Sequence, residues 1–301
     1  MENQKANDDS LSKLLASQFR GVLDRHGYGF QYAILHKLLE ICTYSEGSWI
    51  PEVAEFPTST GRFDTRIDFI VRPQGSRFFL AAECKRANPA LNNWCFARAS
   101  YIHREQKKIE KLLVEEVVVE FSDDNAKQPT KIFAHGKDLG LIREAYHIGF
   151  EIKNPRNKGE CEAGAGRGAI EEAAGQICKG VNGLVTAMSG LSKPHDLTRK
   201  KITTLIMPAI FTTASLWTSD VDLGRSDIKT GNLPADTMNN LQKKPWIFLQ
   251  YPISPAIKHT LPTEPLGFEF AEMLDPHYLR TIAVISAEGI DKFLVEFPRV
   301  W

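Results

Sequence analysis

Residues 63–86 read FDTRIDFIVRPQGSRFFLAAECKR, and this stretch has the pattern of two β-strands joined by a tight turn. Apolar and polar residues largely alternate over residues 63–71 and again over residues 77–85, as expected for strands with one buried face. The Pro-Gln-Gly-Ser sequence between them is typical of a turn. The pattern therefore predicts a β-hairpin. Its buried face is expected to carry Phe63, Ile67, Phe69, Val71, Phe78, Leu80, Ala82 and Cys84.

The opposite face of this hairpin carries charged side chains. Asp68 stands on the first strand, and Glu83 and Lys85 stand two residues apart on the second, so that all three point the same way. A turn centred on residues 74–75 places Asp68 across from Ala81 and one pleat from Glu83, roughly 7 to 8 Å away at the backbone. Two short carboxylates at that separation can converge on one cation, with bonds of about 2.1 Å for magnesium.

This set of side chains suits the hydrolysis of phosphodiester bonds. A divalent cation neutralises the charge that develops in this reaction and acidifies the attacking water. Magnesium prefers hard oxygen ligands, which Asp68 and Glu83 supply. The ammonium group of Lys85 is expected beside the cation, and the backbone carbonyl of Cys84 is available as a further ligand. The hairpin thus predicts a metal-dependent site for phosphoryl chemistry.

The order of Asp68, a short turn and then Glu83-Cys84-Lys85 resembles the D-x(n)-(D/E)-x-K core of the PD-(D/E)XK, or restriction endonuclease-like, nuclease superfamily. The resemblance implies that Asp68 and Glu83 bind Mg²⁺ or Mn²⁺ together with the backbone carbonyl of Cys84. It implies that Lys85 orients the attacking water and stabilises charge. The fold that it implies is α/β, a three-layer α-β-α restriction endonuclease-like core with a mixed sheet. In that fold one helix precedes the Asp68 strand and another follows the Glu83 strand, and the sequence predicts helices in both places.

Two further positions are compared with the same superfamily. Many members carry a Glu on the early helix that completes the metal shell, whereas this chain has Gln31 there. Whether a second metal binds, or whether Glu40 takes that place, is left open. Many members also carry a Gln on the later helix that faces the site, and Gln176 is the candidate in this chain.

Other interpretations of the same residues remain open. Asp68, Glu83 and Lys85 can instead form a salt-bridge set on a solvated sheet face. Asp64 is an alternative to Asp68 as the metal ligand, although its expected position opposite Lys85 better suits an ion pair. A second Glu-x-Lys sequence, Glu151-Ile152-Lys153, lies on a predicted strand directly before the later helix and is a rival site.

Helical and strand patterns divide the rest of the chain. Apolar residues recur at helical spacing over residues 11–25 and 30–43, after a polar tail at residues 1–9 that is expected to be disordered. The apolar, β-branched run at residues 200–211 predicts a buried central strand. The charged residues 96–113 predict a helix. Further strands are predicted at residues 49–56, 114–121, 147–153, 246–251 and 280–286, and further helices at residues 169–189 and 289–295.

These elements predict two structural units. The nuclease-like core is expected over residues 10–215, with an insertion at about residues 95–145. Residues 216–301 are expected to form a C-terminal α/β extension that packs on this core. Domains commonly contain about 100 to 200 residues, so the chain has room for both units.

The composition is that of an ordinary globular protein, with 43% hydrophobic and 25% charged residues. The 37 basic and 37 acidic residues cancel, so the net charge gives no indication of nucleic-acid binding, which usually shows as a basic surplus or patch. The five cysteines are scattered without a CxxC pair, which argues against a disulfide framework and a structural zinc site. The polar N-terminus and the absence of a membrane-length apolar stretch lead us to expect a cytoplasmic protein.

Together, the hairpin and the resemblance predict a Mg²⁺-dependent endonuclease that hydrolyses phosphodiester bonds in DNA. The resemblance alone suggests a role in antiviral or restriction-type defence. The expected partners are DNA, further copies of the chain in a homodimer or higher oligomer, and a protein of a defence system, with no membrane. Two alternatives stay open: a catalytically silent DNA- or protein-binding module on the same fold, and an RNase or nickase subunit of a larger complex.

Overall fold

The computed structural model describes residues 2–44, 49–61, 64–98, 109–123, 126–153, 168–188, 200–238, 241–258, 261–262 and 278–297. Helices and strands form a mixed α/β fold with a large mixed sheet, which confirms the predicted class. The helices are α1 (Glu2–Arg25), α2 (Tyr28–Tyr44), α3 (Gly168–Met188) and α4 (Ile290–Glu296). Among the residues described, no helix has both the length and the apolar character needed to cross a membrane.

The strands form two sheets. They are β1 (Trp49–Ser59), β2 (Asp64–Pro73), β3 (Phe78–Lys85), β4 (Asn93–Ala97), β5 (Ile109–Glu120), β6 (Lys131–Tyr146), β7 (Ile148–Ile152), β8 (Lys201–Thr212), β9 (Ser215–Ser219), β10 (Gln242–Lys244), β11 (Trp246–Pro252) and β12 (Leu279–Ser286). Within the described residues, the larger sheet has eight strands in the order β1-β2-β3-β8-β12-β11-β6-β5, and the smaller sheet has four in the order β10-β9-β4-β7.

The predicted central strand, β8, organises the larger sheet. It pairs in parallel with β3 and with β12, and its first half also pairs antiparallel with β5. Because β5 also stands at the end of the strand order, the strands β8, β12, β11, β6 and β5 close into a ring. The apolar, β-branched sequence of β8 suits this position, since a strand with neighbours on both edges and layers on both faces has little contact with water.

Helices pack on both faces of the larger sheet. Neighbouring residues of β3 join two separate apolar clusters: Ala81 packs below α3, whereas Leu80 packs below α2 and α4. Helix α3 approaches the sheet closely because Gly180 and Gly183 face it. Cβ atoms at these two positions would lie 2.7 and 2.6 Å from side-chain carbons of β2 and β1. This close approach sets the height of α3 above the hairpin.

The alternation of side chains between the two faces of β2 is interrupted at Asp68. Ile67 packs in the cluster below α3, whereas Phe69 packs in the cluster below α2, so the prediction that these two residues share a face was wrong. The change lies across from Glu55 of β1, whose backbone is left-handed with a φ of 54°. Phe63 lies outside the described residues. On β3 the predicted apolar face is confirmed, with Phe78, Leu80, Ala82 and Cys84 in one cluster.

The predicted helix at residues 96–113 was wrong. Residues 93–97 form β4 and residues 109–120 form β5, while residues 99–108 lie outside the described part of the chain. Glu110, one of the charges that suggested an exposed helix, is buried in β5 and pairs with Arg98 and His147, and a local pattern does not reveal these pairings. The strand predicted at residues 114–121 is confirmed, because it forms the second part of β5.

The predicted unit boundaries also differ from the structure. Strands β11 and β12 follow residue 215 but lie inside the larger sheet, where β12 pairs with β8 and β11 with β6, so residues 216–301 are not a separate extension. The predicted insertion at residues 95–145 supplies β5 and β6 to the same sheet. Residues 2–9, predicted as a disordered tail, belong to α1, because neither Gly nor Pro interrupts the helix before its apolar pattern begins.

Candidate functional site

One open pocket of about 680 Å³ collects the residues predicted from the hairpin. It lies where β1, β2 and β3 meet the α1–α2 turn and α3. Asp68, Glu83, Cys84, Lys85 and Gln176 all line it, so the fold brings the whole predicted set together. The other lining residues are His26, Gly27, Tyr28, Gln31, Glu55, Pro57, Asp64, Thr65, Arg66 and Arg86.

The register of the hairpin brings the two carboxylates closer than predicted. Ile70, rather than Asp68, lies across from Ala81, so that continuing the register places Asp68 opposite Glu83. The predicted register was therefore wrong by two residues. The N–H of Ser76 donates to the carbonyl of Pro73, and Arg77 follows before β3 begins, so the loop comprises residues 74–77, two more than in the predicted turn. Because the shift is even, the side chains keep their face, and residues directly opposite have Cβ atoms about 4.5 to 5.5 Å apart.

Asp68 is oriented by the backbone of the neighbouring strand. The N–H of Cys84 donates to its Oδ2 atom at 2.6 Å. Burial raises the pKa of Asp68 to about 6, the Cys84 N–H lowers it, and the nearby Glu55 carboxylate raises it further. Burial also raises the pKa of the Cys84 thiol well above its ordinary value, so this side chain is a neutral thiol at pH 7. The expected role of the Cys84 carbonyl as a metal ligand stays a prediction.

Glu83 is the more strongly perturbed carboxylate. Its exposed fraction is 7%. Burial, followed by the charge of Asp68, raises the pKa of Glu83 to about 8, although Lys85 lowers it. Without a cation, the pocket therefore favours a protonated Glu83 at neutral pH.

We expect the free energy of unfolding in EDTA to fall as the pH rises from about 5 to 8. The unfolded chain releases the Glu83 proton near the ordinary pKa of 4.5, whereas the folded chain holds it until about pH 8. The folded state binds more protons in this window. The stability that the protonated Glu83 contributes is therefore fully present below the ordinary pKa of 4.5 and is lost as the pH rises to the folded-state pKa of about 8. The loss is on the order of 3 kcal/mol.

Thermal denaturation of the wild type and Glu83→Gln between pH 5 and 8.5 measures this loss. The amide does not titrate, and every other titratable group is common to both proteins. As the pH rises, the wild type should therefore lose stability relative to Glu83→Gln. A difference that stays constant over this range would contradict the expected pKa of Glu83.

Lys85 and α3 meet at the edge of the pocket. The Lys85 Nζ atom lies 2.8 Å from Oε2 of Glu172, and the expected ion pair with Asp64 was wrong. Gln176 lies one helical turn after Glu172. Its Oε1 atom is buried and has no hydrogen-bond partner in the part of the chain that the structure describes. The pocket is thus lined by the cationic Lys85 and by a buried acceptor that lacks a partner among the described residues.

Gln31 takes a structural position beside Asp68. Its Nε2 atom donates to the backbone carbonyl of Asp68 at 2.8 Å and to Oε1 of Glu55 at 2.7 Å. Glu55 in turn accepts from Arg66 at 2.5 Å. An amide at this helix position therefore fixes the backbone of the site. The alternative residue Glu40 pairs with His36 on the same helix and lies outside the pocket.

The second Glu-x-Lys sequence lies in the other sheet. Glu151 is on β7, is 6% exposed, and accepts the N–H of Ala169 at 3.2 Å at the start of α3. A carboxylate at this position stabilises the first turn of a helix. Neither Glu151 nor Lys153 lines the pocket that contains Asp68.

The donor set of the pocket suits a hard divalent cation with few protein ligands. Asp68 and Glu83 offer carboxylate oxygens from opposite strand positions, and the buried Oε1 atom of Gln176 lacks a partner among the described residues. In that part of the chain, no group of three His, Cys, Asp or Glu side chains is arranged to hold a metal ion. A cation here would complete its shell with backbone and water oxygens, as magnesium commonly does.

Sequence reasoning did not single out Glu55 and Arg66, which line the pocket, or Glu172, which pairs with Lys85 at its edge. Glu172 had a signal, because it is four residues before Gln176 and shares its helix face. Arg66 lies two residues before Asp68, and the strand pattern predicted only that it belongs to the same polar face. Glu55 had no signal, because its place depends on the pairing of β1 with β2 and on its unusual backbone.

Comparison of the chain with protein-family models, curated proteins and solved structures found no match in any of the three.

Proposed function

We propose that the chain is a divalent-metal-dependent endonuclease that hydrolyses phosphodiester bonds in DNA on a restriction endonuclease-like core. The observation that carries the proposal is the shared pocket of Asp68, Glu83, Lys85 and Gln176. The order α2, β1, β2, β3 and then, after the four strands β4 to β7, α3 and β8 supports it, with β3 parallel to β8 and helices on both faces of the sheet. This order agrees with the fold that the resemblance implies.

Asp68 and Glu83 would hold Mg²⁺ or Mn²⁺ with their free carboxylate oxygens. Asp68 is prepared for this role, because the Cys84 N–H occupies Oδ2 and fixes the orientation of the group. When bound, such an ion supplies positive charge against the phosphate and lowers the pKa of water. The predicted oxygen ligands are the hard type that these ions prefer.

Lys85 and Gln176 act on the reacting groups directly. The Lys85 ammonium carries a positive charge that stabilises the negative charge developing on the phosphate. Gln176 Oε1 is buried and lacks a partner among the described residues, so it can accept a hydrogen bond from the attacking water and orient it. Glu172 holds the ammonium at the α3 side of the pocket until the substrate competes for it.

A second candidate is a catalytically silent module that binds DNA or a protein through the same pocket. It is favoured by the lack, in the described part of the chain, of three side chains arranged around a metal. The homo-oligomer, the partner in a defence system and the cytoplasmic location all stay predictions.

Cleavage assays distinguish the two candidates. The wild type is incubated with supercoiled plasmid and with labelled DNA and RNA oligonucleotides, in Mg²⁺, in Mn²⁺ or in EDTA. We expect metal-dependent DNA cleavage that Glu83→Ala reduces by at least about 100-fold, the usual effect of losing a residue that stabilises the transition state. Glu151→Gln is the matched control, since it alters the other Glu-x-Lys sequence but retains the acceptor for Ala169. Equal activity of wild type and Glu83→Ala would refute the assignment, and cleavage of RNA alone would assign the RNase alternative.

A further inference from the structure

Glu55 is the one non-glycine residue with a positive φ, +54°, in the part of the chain that the structure describes. An L residue in this region brings its Cβ atom too close to its own backbone, so the conformation persists only where the surroundings impose it. Glu55 lies inside β1, between Ala54 and Phe56, and both of these keep regular pairs with β2. Backbone strain of this kind occurs preferentially at functional sites.

Two donors hold the carboxylate of Glu55. Gln31, which is 3% exposed, donates from Nε2 to Oε1 at 2.7 Å, and Arg66 donates from Nη1 to Oε2 at 2.5 Å. The same Nε2 atom donates to the backbone carbonyl of Asp68. The guanidinium of Arg66 is therefore fixed relative to the strand that carries Asp68.

Arg66 places a positive charge in the pocket. It lies two residues before Asp68 on β2, about 6.6 Å along the strand, and lines the same pocket. Its side chain is 56% exposed. A guanidinium has five N–H donors, of which Glu55 takes one, and the Tyr28 hydroxyl also interacts with the group. Within the described structure, the other donors remain available to a ligand.

A second ion pair between the same strands provides a comparison. Arg72 on β2 pairs with Glu52 on β1 at 2.5 Å, the same distance as Arg66 and Glu55. The Arg72 pair does not line the pocket, and Glu52 has no positive φ. A pair of this kind therefore needs no strained backbone. The strain occurs where the pair borders Asp68 and Glu83.

We propose that Arg66 binds a backbone phosphate of the nucleic acid next to the phosphate that is cut, and that Glu55 positions it for that contact; this inference rests on the proposed function. A polyanion that enters the pocket meets the carboxylates of Glu55 and Asp68, so a fixed cation beside them favours its binding. The planar fork of an arginine matches two phosphate oxygens.

The test measures binding apart from cleavage. Every protein carries Glu83→Gln, so that the probe is not cut, and fluorescence anisotropy gives the Kd for a labelled 20-base-pair DNA duplex at several salt concentrations. We expect Arg66→Ala to raise the Kd by about 10-fold and to reduce the slope of log Kd against log salt by about one, the value for one lost phosphate contact. Arg72→Ala, the matched control, should change neither the Kd nor the slope.

Glu55→Gln tests the positioning role. It leaves the charge of Arg66 in place but removes its ionic partner, so we expect a Kd raised about threefold to tenfold with an unchanged salt slope. If Glu55 had only a structural role, Glu55→Gln would lower the melting temperature but would not raise the Kd at an unchanged salt slope. Circular dichroism and thermal denaturation of each variant verify that it is folded.

The outcomes separate this inference from the proposed function. If Arg66→Ala behaves like Arg72→Ala while the protein without Glu83→Gln cuts DNA, the inference fails and the nuclease stands. If Arg66→Ala lowers the slope but no metal supports cleavage, Arg66 stands as a binding residue and the nuclease fails. A protein without measurable affinity for the duplex overturns the inference.

Discussion

Replacing Lys85 with alanine is expected to lower the rate of magnesium-dependent DNA cleavage by about 100- to 1,000-fold. The side chain points to the same face as Glu83 and is 23% exposed, so its charge acts in a partly desolvated pocket. Its loss should appear in kcat rather than in KM, because the charge on the phosphate grows between the bound substrate and the transition state. Cleavage rates of a defined duplex at saturating DNA measure the effect.

Glu172→Ala is the matched control for the Lys85 variant. It removes the other partner of the same ion pair, and Glu172 is 58% exposed, so the pair itself contributes little to stability. If Lys85 served only to hold α3, both variants would lose the same activity. We expect Glu172→Ala to retain activity within about fivefold, since an exposed ion pair is worth about 1 kcal/mol or less. Equal losses would assign Lys85 a structural role.

Replacing Arg280 with methionine is expected to destabilise the protein by about 3 to 5 kcal/mol, because it removes the cation that compensates the charge of a buried carboxylate. Arg280 on β12 donates from Nε to Oε2 of Glu115 on β5 at 2.6 Å. The two side chains are 2% and 1% exposed, and Arg280 also donates to the carbonyl of Leu279 at 2.6 Å. Denaturant unfolding of the wild type and the variant measures the change in the free energy of unfolding.

The double variant Arg280→Met with Glu115→Leu distinguishes the loss of a partner from the loss of packing. Replacing both charges with apolar residues of similar size removes the uncompensated carboxylate, so we expect most of the lost stability to return. A double variant as unstable as Arg280→Met would show that the ion pair is not the cause. The comparison matters for the fold, because this pair joins β12, in the C-terminal part, to β5 within the ring of strands.

Local patterns predicted the parts of the fold in which neighbouring residues share one environment. The helices near Gln31 and Gln176, the hairpin of β2 and β3, and the buried strand β8 all appear where they were predicted. In each of these elements, the spacing of the apolar residues indicates which side chains are buried. The first residues of β5, 109–113, misled the same reasoning, because the buried Glu110 is compensated by His147, which is far away in the sequence.

The sequence by itself determined the chemistry that the hairpin offers: two carboxylates and a lysine on one face, set by the two-residue period of a strand. Only the tertiary structure decided what surrounds them. Pairing across strands placed Asp68 opposite Glu83, imposed the left-handed backbone of Glu55, and brought α3 close enough for Gln176 to reach the pocket. The physical reason is the sequence distance over which each property is set. Side-chain direction depends on adjacent residues, whereas register, burial and charge pairing depend on segments that meet only when the chain has folded.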